Sequence, residues 1–150
     1  MKIRIEIENN LNEEEIVIRC RELNRMVQDI QTVISEKISN IPNVVFYKDK
    51  EEYFFQLSEI LFFETDNDMV YAHTASDIYR TDYKLYELLK FLPYEFVRIS
   101  KSAIVNTMHI LSISRNLASS SLIRFYKSHK QIYVSRLYYK DLKEKLTSRS

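Results

Sequence analysis

The 150 residues contain no glycine, no tryptophan, two prolines and one cysteine, and each scarcity removes a class of function. A phosphate-cradling Walker loop or a dinucleotide fingerprint needs glycine for its tight turns and for close approach of backbone to phosphate, so nucleotide-dependent catalysis of those kinds is excluded. A lone cysteine can form no internal disulfide and has no CxxC partner for zinc; Cys20 is expected to be a small buried hydrophobe. No apolar run is long enough for a membrane span, and Lys2, Arg4 and Glu6 interrupt the first residues where a secretory leader would be apolar, so a cytoplasmic location is expected. Turns must use residues that tolerate left-handed or locally hydrogen-bonded backbone. Such residues stand at Asn9-Asn10, Asp66-Asn67-Asp68, Ser76-Asp77, Asn116 and Ser119-Ser120-Ser121.

What is present is a globular composition, 45% hydrophobic and 13% aromatic, in a chain long enough to bury a core unaided. The net charge of +1 conceals an uneven distribution. Residues 1–50 carry 8 basic and 9 acidic side chains, residues 51–95 carry 3 and 10, and residues 96–150 carry 11 and 2. A basic final third beside an acidic middle is the pattern of a face that docks a polyanion with the acidic part turned away, although solvated lysines scattered over a surface would give the same counts.

The hydrophobic pattern places two segments. In residues 1–42, Ile3, Ile5 and Ile7 alternate with charges as in a half-buried strand, and Glu15 to Cys20 alternates more loosely and could pair with it. Leu23, Met26, Val27, Ile30, Ile34, Ile38 and Ile41 then fall at three- and four-residue steps, predicting an amphipathic helix that stops before Pro42. This β-β-α piece is too small to bury its own apolar faces and must pack on the remainder or on a second copy of itself. Residues 43–150 predict short strands at Val44–Tyr47, Tyr53–Gln56, Ile60–Glu64, Met69–His73, Ile78–Thr81, Phe96–Ile99, Ile110–Ser114, Leu122–Tyr126 and Gln131–Val134. Two helices interrupt them: Lys84–Leu92, with Asp82 as its cap, and a last one opened by Ser135 with Tyr138, Leu142 and Leu146 on one face. The fold class is α+β, predominantly β.

The order of these elements, with Ile60-Leu61-Phe62-Phe63-Glu64, the Leu85–Leu89 helix, the stretch FVRISKSAIVN from Phe96 to Asn106 followed by Ile110, and Val134-Ser135-Arg136, resembles the LytTR family of DNA-binding domains over about residues 43–147. The resemblance implies short antiparallel sheets with two small helices, whose loops at one edge enter successive major grooves and bend the duplex, and which act as dimers or pairs on imperfect direct repeats. It implies DNA-contacting positions at Asn67 and Asp68, at Arg98, Ser100, Lys101 and Ser102, and at Ser135, Arg136 and Lys140. Arg136 is the leading candidate for a base contact, since a guanidinium meets O6 and N7 of guanine with two parallel hydrogen bonds, and Lys101 is the second. Where many members have a histidine two residues after the arginine, this chain has Ser100, which reaches less far and leaves that base contact in doubt. The implied function is a sequence-specific transcription regulator that is not an enzyme, needs no cofactor or small-molecule substrate, binds double-stranded DNA as a homodimer, and is restrained by a membrane-bound inhibitory protein rather than by phosphorylation. About forty N-terminal residues cannot hold a phosphorylatable receiver fold.

Read without the family, Arg98, Lys101, Arg115, Lys127, Lys130, Arg136 and Lys140 alternate with apolar or aromatic positions, so strands could bury one face and present cations on the other. Arg98 could equally be structural, paired with Glu64. Asp66, Asp68 and His73 invite a metal site, but Asp-Asn-Asp is ordinary turn composition and no full ligand set accompanies it. His109 and His129 lack triad partners. The eleven tyrosines suit sheet packing, with no string typical of an RNA-stacking surface. The competing function is a protein-interaction module of the same fold that uses the 23–41 stripe to bind a regulatory or membrane partner.

Overall fold

Alternation of β-branched and aromatic residues with polar ones, cut every few residues by Asn, Asp or Ser, favours short antiparallel strands. A computed structural model describes residues 1–39 and 44–148 and divides the chain into two units, residues 1–41 and 42–150. Among the described residues the second unit holds the strands β1 (Phe46–Lys48), β2 (Glu51–Tyr53), β3 (Phe62–Asp66), β4 (Met69–His73), β5 (Ile78–Thr81), β6 (Phe96–Ser100), β7 (Ala103–Asn106), β8 (Ile110–Ser114), β9 (Ser121–Phe125) and β10 (Gln131–Val134). A seven-stranded sheet runs in the order β2-β1-β5-β4-β3-β7-β6 and a three-stranded sheet in the order β10-β9-β8. The helices are α1 (Arg25–Ser39) in the first unit, and α2 (Leu85–Phe91) and α3 (Arg136–Thr147) in the second.

Period-two alternation sends neighbouring side chains of the large sheet into two cores. On one side Phe62, Ile99, Ala103 and Val105 meet Ile110, Ile123, Phe125, Ile132 and Val134 of the small sheet and Leu142 of α3. On the other, Phe46, Phe63, Val70, Ala72 and Ile104 pack on Leu85 and Leu88 of α2. β7 is buried along its whole length. That explains why residues 103–106, which show no alternation, are not expected as a strand from sequence: a strand covered on both faces has no polar side to reveal its period. Its last residue, Asn106, donates from Nδ2 to the Ile60 carbonyl (3.0 Å) and accepts at Oδ1 from the Met108 amide (3.0 Å). Asn106 is a buried strut, and leaving those backbone groups unpaired would cost about 1–3 kcal/mol.

Without glycine, the tight hairpins place other residues at positive φ. Asp66 pairs with Met69 across a two-residue loop in which Asn67 (φ 49°) and Asp68 (φ 66°) are both left-handed, the backbone of a type I′ turn. Asp49 (φ 56°) and Lys127 (φ 56°) serve the β1–β2 and β9–β10 turns.

At the other end of the β3–β4 hairpin a polar chain joins the two sheets. His73 is buried, stacks on Phe62 (4.2 Å) and bonds through Nε2 to Glu64 (2.7 Å). The Lys130 ammonium lies 3.3 Å from Nδ1 of His73 and also donates to the Asp77 carbonyl. An ammonium only donates, so Nδ1 accepts, and the imidazole proton sits on Nε2, facing Glu64. The hydrogen bond from His73 holds the Glu64 carboxyl below the usual glutamate range, and burial pulls the Lys130 ammonium below the usual lysine range.

Several expectations are corrected. Residues 2–8 and 15–20 form no strand, and Cys20 is exposed rather than buried because the strand that would shelter it is absent. In α1, whose first turn is capped by the Asn24 side chain on the Val27 amide (3.0 Å), Val27 is buried and Ile30 and Ile34 are half-buried, while Leu23, Met26 and Ile38 are exposed. Ile41 and Pro42 lie outside the described residues. Asp82 does not cap α2 but pairs with Arg80; the Lys84 amide is satisfied instead by the Glu87 carboxylate (3.0 Å). The second expected strand is displaced to Glu51–Tyr53, closing a hairpin on β1.

Two measurements check this fold. A β-branched side chain is excluded from left-handed backbone and glycine is not, so Asp68→Val should destabilise the second unit by about 1–2 kcal/mol in chemical denaturation while Asp68→Gly is neutral or stabilising. Glu64, depressed in the folded state, contributes stability above its unfolded pKa that is lost as pH falls through its folded pKa. Urea midpoints of the parent should therefore drop in the acid range more steeply than those of Glu64→Gln, which still accepts from His73 but does not titrate. Equal acid slopes would refute the role assigned to Glu64.

Candidate nucleic-acid interface

β3 runs toward Asp66 and β7 starts beside it, so the β3–β4 turn and the β6–β7 turn must emerge at the same end of the large sheet. A hydrogen bond from the Thr65 amide to the Ser102 carbonyl (2.8 Å) extends this pairing into the turns. The register of β6 on β7 slips between Arg98 and Ser100, a bulge that frees the Ile99 carbonyl. That carbonyl accepts from the Ser135 amide (2.9 Å), where β10 ends and α3 begins. Three turns from two sheets are thereby fastened at one edge. Leu142, fully buried beneath α3, holds the helix against β6.

Each expected site residue has a definite place there. Asn67 and Asp68 form the exposed tip of the β3–β4 turn. Lys101 and Ser102 are exposed at the tip of the β6–β7 turn. Ser100 is half-buried, and its hydroxyl accepts from the Ser102 amide (3.1 Å), so it works inside the turn. Arg98 is half-buried and donates from Nε to the Ser100 carbonyl (2.9 Å) and from a terminal nitrogen to the Lys101 carbonyl. The expected pairing of Arg98 with Glu64 is not formed, since Glu64 bonds to His73; Arg98 clamps the turn that presents Lys101. Ser135 occupies the N-cap position of α3, though its hydroxyl caps nothing. Arg136 is exposed in the first turn of α3, and Lys140, exposed one turn on, shares its face.

Two further elements border this edge that were not among the expected DNA-contacting positions. The loop at 115–120 borders Arg136: a recess of about 160 Å³ is lined by Arg115, Asn116, Ser119, Ser121, Arg136 and Tyr139, and the Arg115 guanidinium sits over the Tyr139 ring at 4.6 Å. Asn116 and Ser121 fix the loop by a hydrogen bond from the Asn116 amide to the Ser121 hydroxyl (3.1 Å). The sequence signal was the Asn and Ser cluster, which reads as a turn without disclosing its neighbours. Lys84 donates to the Asp68 carbonyl (3.0 Å) and so braces the β3–β4 tip.

Two basic residues do not join this edge. Lys127 and Lys130 belong to the β9–β10 turn, at the opposite end of the small sheet from Ser121 and Ser135, and Lys130 is engaged with His73 and Asp77. Nor do Asp66, Asp68 and His73 converge: four residues of β4 separate the turn from His73, about 13 Å of strand. Among the described residues no group of three or more His, Cys, Asp or Glu side chains could hold a metal ion, and no helix is long and apolar enough to cross a membrane.

A mostly antiparallel scaffold that gathers loops and arginine and lysine side chains at one edge is the architecture of a β-type nucleic-acid reader. The model of the LytTr DNA-binding domain family matches residues 50–147, and the chain belongs to that family. It is 36% identical over 148 residues to HTH-type transcriptional regulators from Staphylococcus aureus strains NCTC 8325 / PS 47 and COL, spanning 98% of this chain and 99% of each relative. The LytTr DNA-binding domain of a Bacillus cereus protein shares the fold, with a TM-score of 0.64 at 22% identity over 70% of this chain and 97% of that one. Strands separate the helices of this chain, so no helix-turn-helix is formed among the described residues.

The clamp can be tested directly. Arg98→Ala leaves two turn carbonyls without their donor and should cost about 1–2 kcal/mol. It should also speed amide hydrogen exchange at Ser102; unchanged exchange there would refute the clamp.

Proposed function

We propose that this chain is a sequence-specific DNA-binding transcription regulator that grips successive major grooves with the turns at 66–68 and 100–102 and the 135–136 junction, and that it binds imperfect direct repeats as a homodimer. The observation that carries this reading is the pair of backbone hydrogen bonds, Thr65 to Ser102 and Ser135 to Ile99, which hold these turns at one edge. Arg136 carries the base contact: it is exposed, it is fixed at its backbone, and its guanidinium can meet a guanine edge with two hydrogen bonds. Lys101, exposed at the tip of its turn, is the second candidate for a base contact, and Arg115 and Lys140 supply phosphate contacts that set register without specifying sequence. Ser100, held within its own turn, contacts phosphate at most. Regulation through a protein partner suits the first unit, whose Met26, Val33 and Ile38 are exposed on α1. A membrane-bound inhibitor is the partner we propose there.

The same exposed side chains favour a second reading, an interaction module with little DNA affinity. Selection of bound duplexes from a random pool separates the two: recovery of a pair of spaced repeats supports the regulator, and no enrichment overturns it. On a recovered duplex, Arg136→Ala should weaken binding by about 1–3 kcal/mol and relax specificity at one base pair. Affinity should also fall with salt at a logarithmic slope of roughly −0.9 for each phosphate neutralised, and Lys140→Ala should make that slope shallower by about one contact. Parental affinity and specificity in Arg136→Ala would remove Arg136 from the base-reading role.

A further inference from the structure

The most exposed large apolar side chains of the first unit stand at its very start: Ile3, Ile5 and Ile7 are 94%, 86% and 81% exposed. Their backbone belongs to no strand ladder. An ion pair from Arg4 to Glu6 (2.9 Å), both well exposed, puts these two side chains on one side, as extended chain requires, with the isoleucines on the other. An unpaired extended segment with one β-branched apolar face is a template for pairing with another strand.

The charges decide which strand. Lys2, Arg4, Glu6 and Glu8 run basic to acidic, so a second copy laid antiparallel, centred on Ile5, sets Lys2 opposite Glu8, Arg4 opposite Glu6, Ile3 opposite Ile7, and Ile5 opposite Ile5. Every cross-strand pair is then apolar with apolar or positive with negative. Parallel pairing in register would oppose each charge to itself. A shift by two residues either way would bring Arg4 against Arg4 or Glu6 against Glu6. Pairing within the chain is also disfavoured: aligning Ile3, Ile5 and Ile7 with Cys20, Ile18 and Ile16 sets Arg4 against Arg19, Lys2 against Arg21 and Glu8 against Glu15. That conflict is a physical reason for the absence of the hairpin from the single chain.

We infer that residues 2–8 form an antiparallel, two-fold symmetric β-ribbon with the same residues of a second copy of this chain, and that this ribbon is the contact that makes the homodimer. The inference rests on the dimeric reading given above and supplies its interface. A two-stranded ribbon is marginal alone, so the association is weak and concentration-dependent.

Sedimentation equilibrium of the full chain tests this without DNA, with Arg4→Glu, Glu6→Arg, the double variant, and an equimolar mixture of the two single variants. Arg4→Glu and Glu6→Arg each turn two attractive pairs of the dimer into repulsive ones and should weaken self-association roughly 10- to 30-fold. The double variant restores opposite charges, and so does the mixture, in which the two carboxylates of the Arg4→Glu chain face the two guanidinium groups of the Glu6→Arg chain; both should associate as the parent does. Misfolding cannot be rescued by mixing. A parent that is monomeric at every concentration, single variants that associate as the parent does, or a mixture that stays as weak as its components would overturn the inference. Failure to select any duplex would instead defeat the DNA-binding reading and leave the sedimentation result standing.

Discussion

Strand β6 lies at the border of the large sheet, yet its bulged residue Ile99 accepts the amide of Ser135 from the small sheet, and its turn carries the carbonyl that receives Thr65 from β3. The Thr65 bond extends the β3–β7 ladder into the two turns, and the Ser135 bond ties the start of α3 to the large sheet. Their combined direct contribution is modest, about 1 kcal/mol each. The Ser135 bond weighs more, because the carbonyl it satisfies belongs to the buried Ile99, and a buried carbonyl without its partner is penalised more than the bond itself contributes. The burial of Leu142 works in the same direction: seating α3 over Ile99 and Val134 fixes the axis along which Arg136 and Lys140 project. By comparison, the ion pairs Lys48–Asp77 and Arg80–Asp82 are open to solvent, which screens them.

Much of the second unit could be read from sequence, because strands such as β8 and β10 bury one face and leave the other toward polar surroundings. β4, β5, β8 and β10 fall where alternation places them, and the Leu85 and Tyr138–Leu142–Leu146 stripes are helical as their spacing requires. β7 could not be read, since burial on both faces erases the polar half of the pattern. The strands expected at 2–8 and 15–20 are absent from the single chain for the opposite reason: Ile3, Ile5 and Ile7 carry a clean alternation, but alternation marks a strand only when a partner exists to complete the ladder. Local period predicts which face would be buried, not whether anything is there to bury it.

At the interface, composition located the right turns but not the work of each residue. Arg98 and Lys101 are both basic and three residues apart, yet one guanidinium is turned back onto carbonyls while the other cation stands at the tip. Lys130 is the sharper case, a lysine from the most basic stretch of the chain that bridges the sheets with His73 instead of facing solvent. Counting charges by segment therefore overstates the electrostatic footprint of the C-terminal third.

The type I′ geometry of the Asn67-Asp68 tip has one more effect. A two-residue loop whose flanking strands are paired to their last residue, and which is further braced by Lys84, has almost no slack to follow the contour of a bound helix. In the proposed complex, mutual fit must then come from deformation of the double helix. The stiffness of base steps lying between the contact points enters the affinity there, so two targets with identical touched bases could be bound unequally.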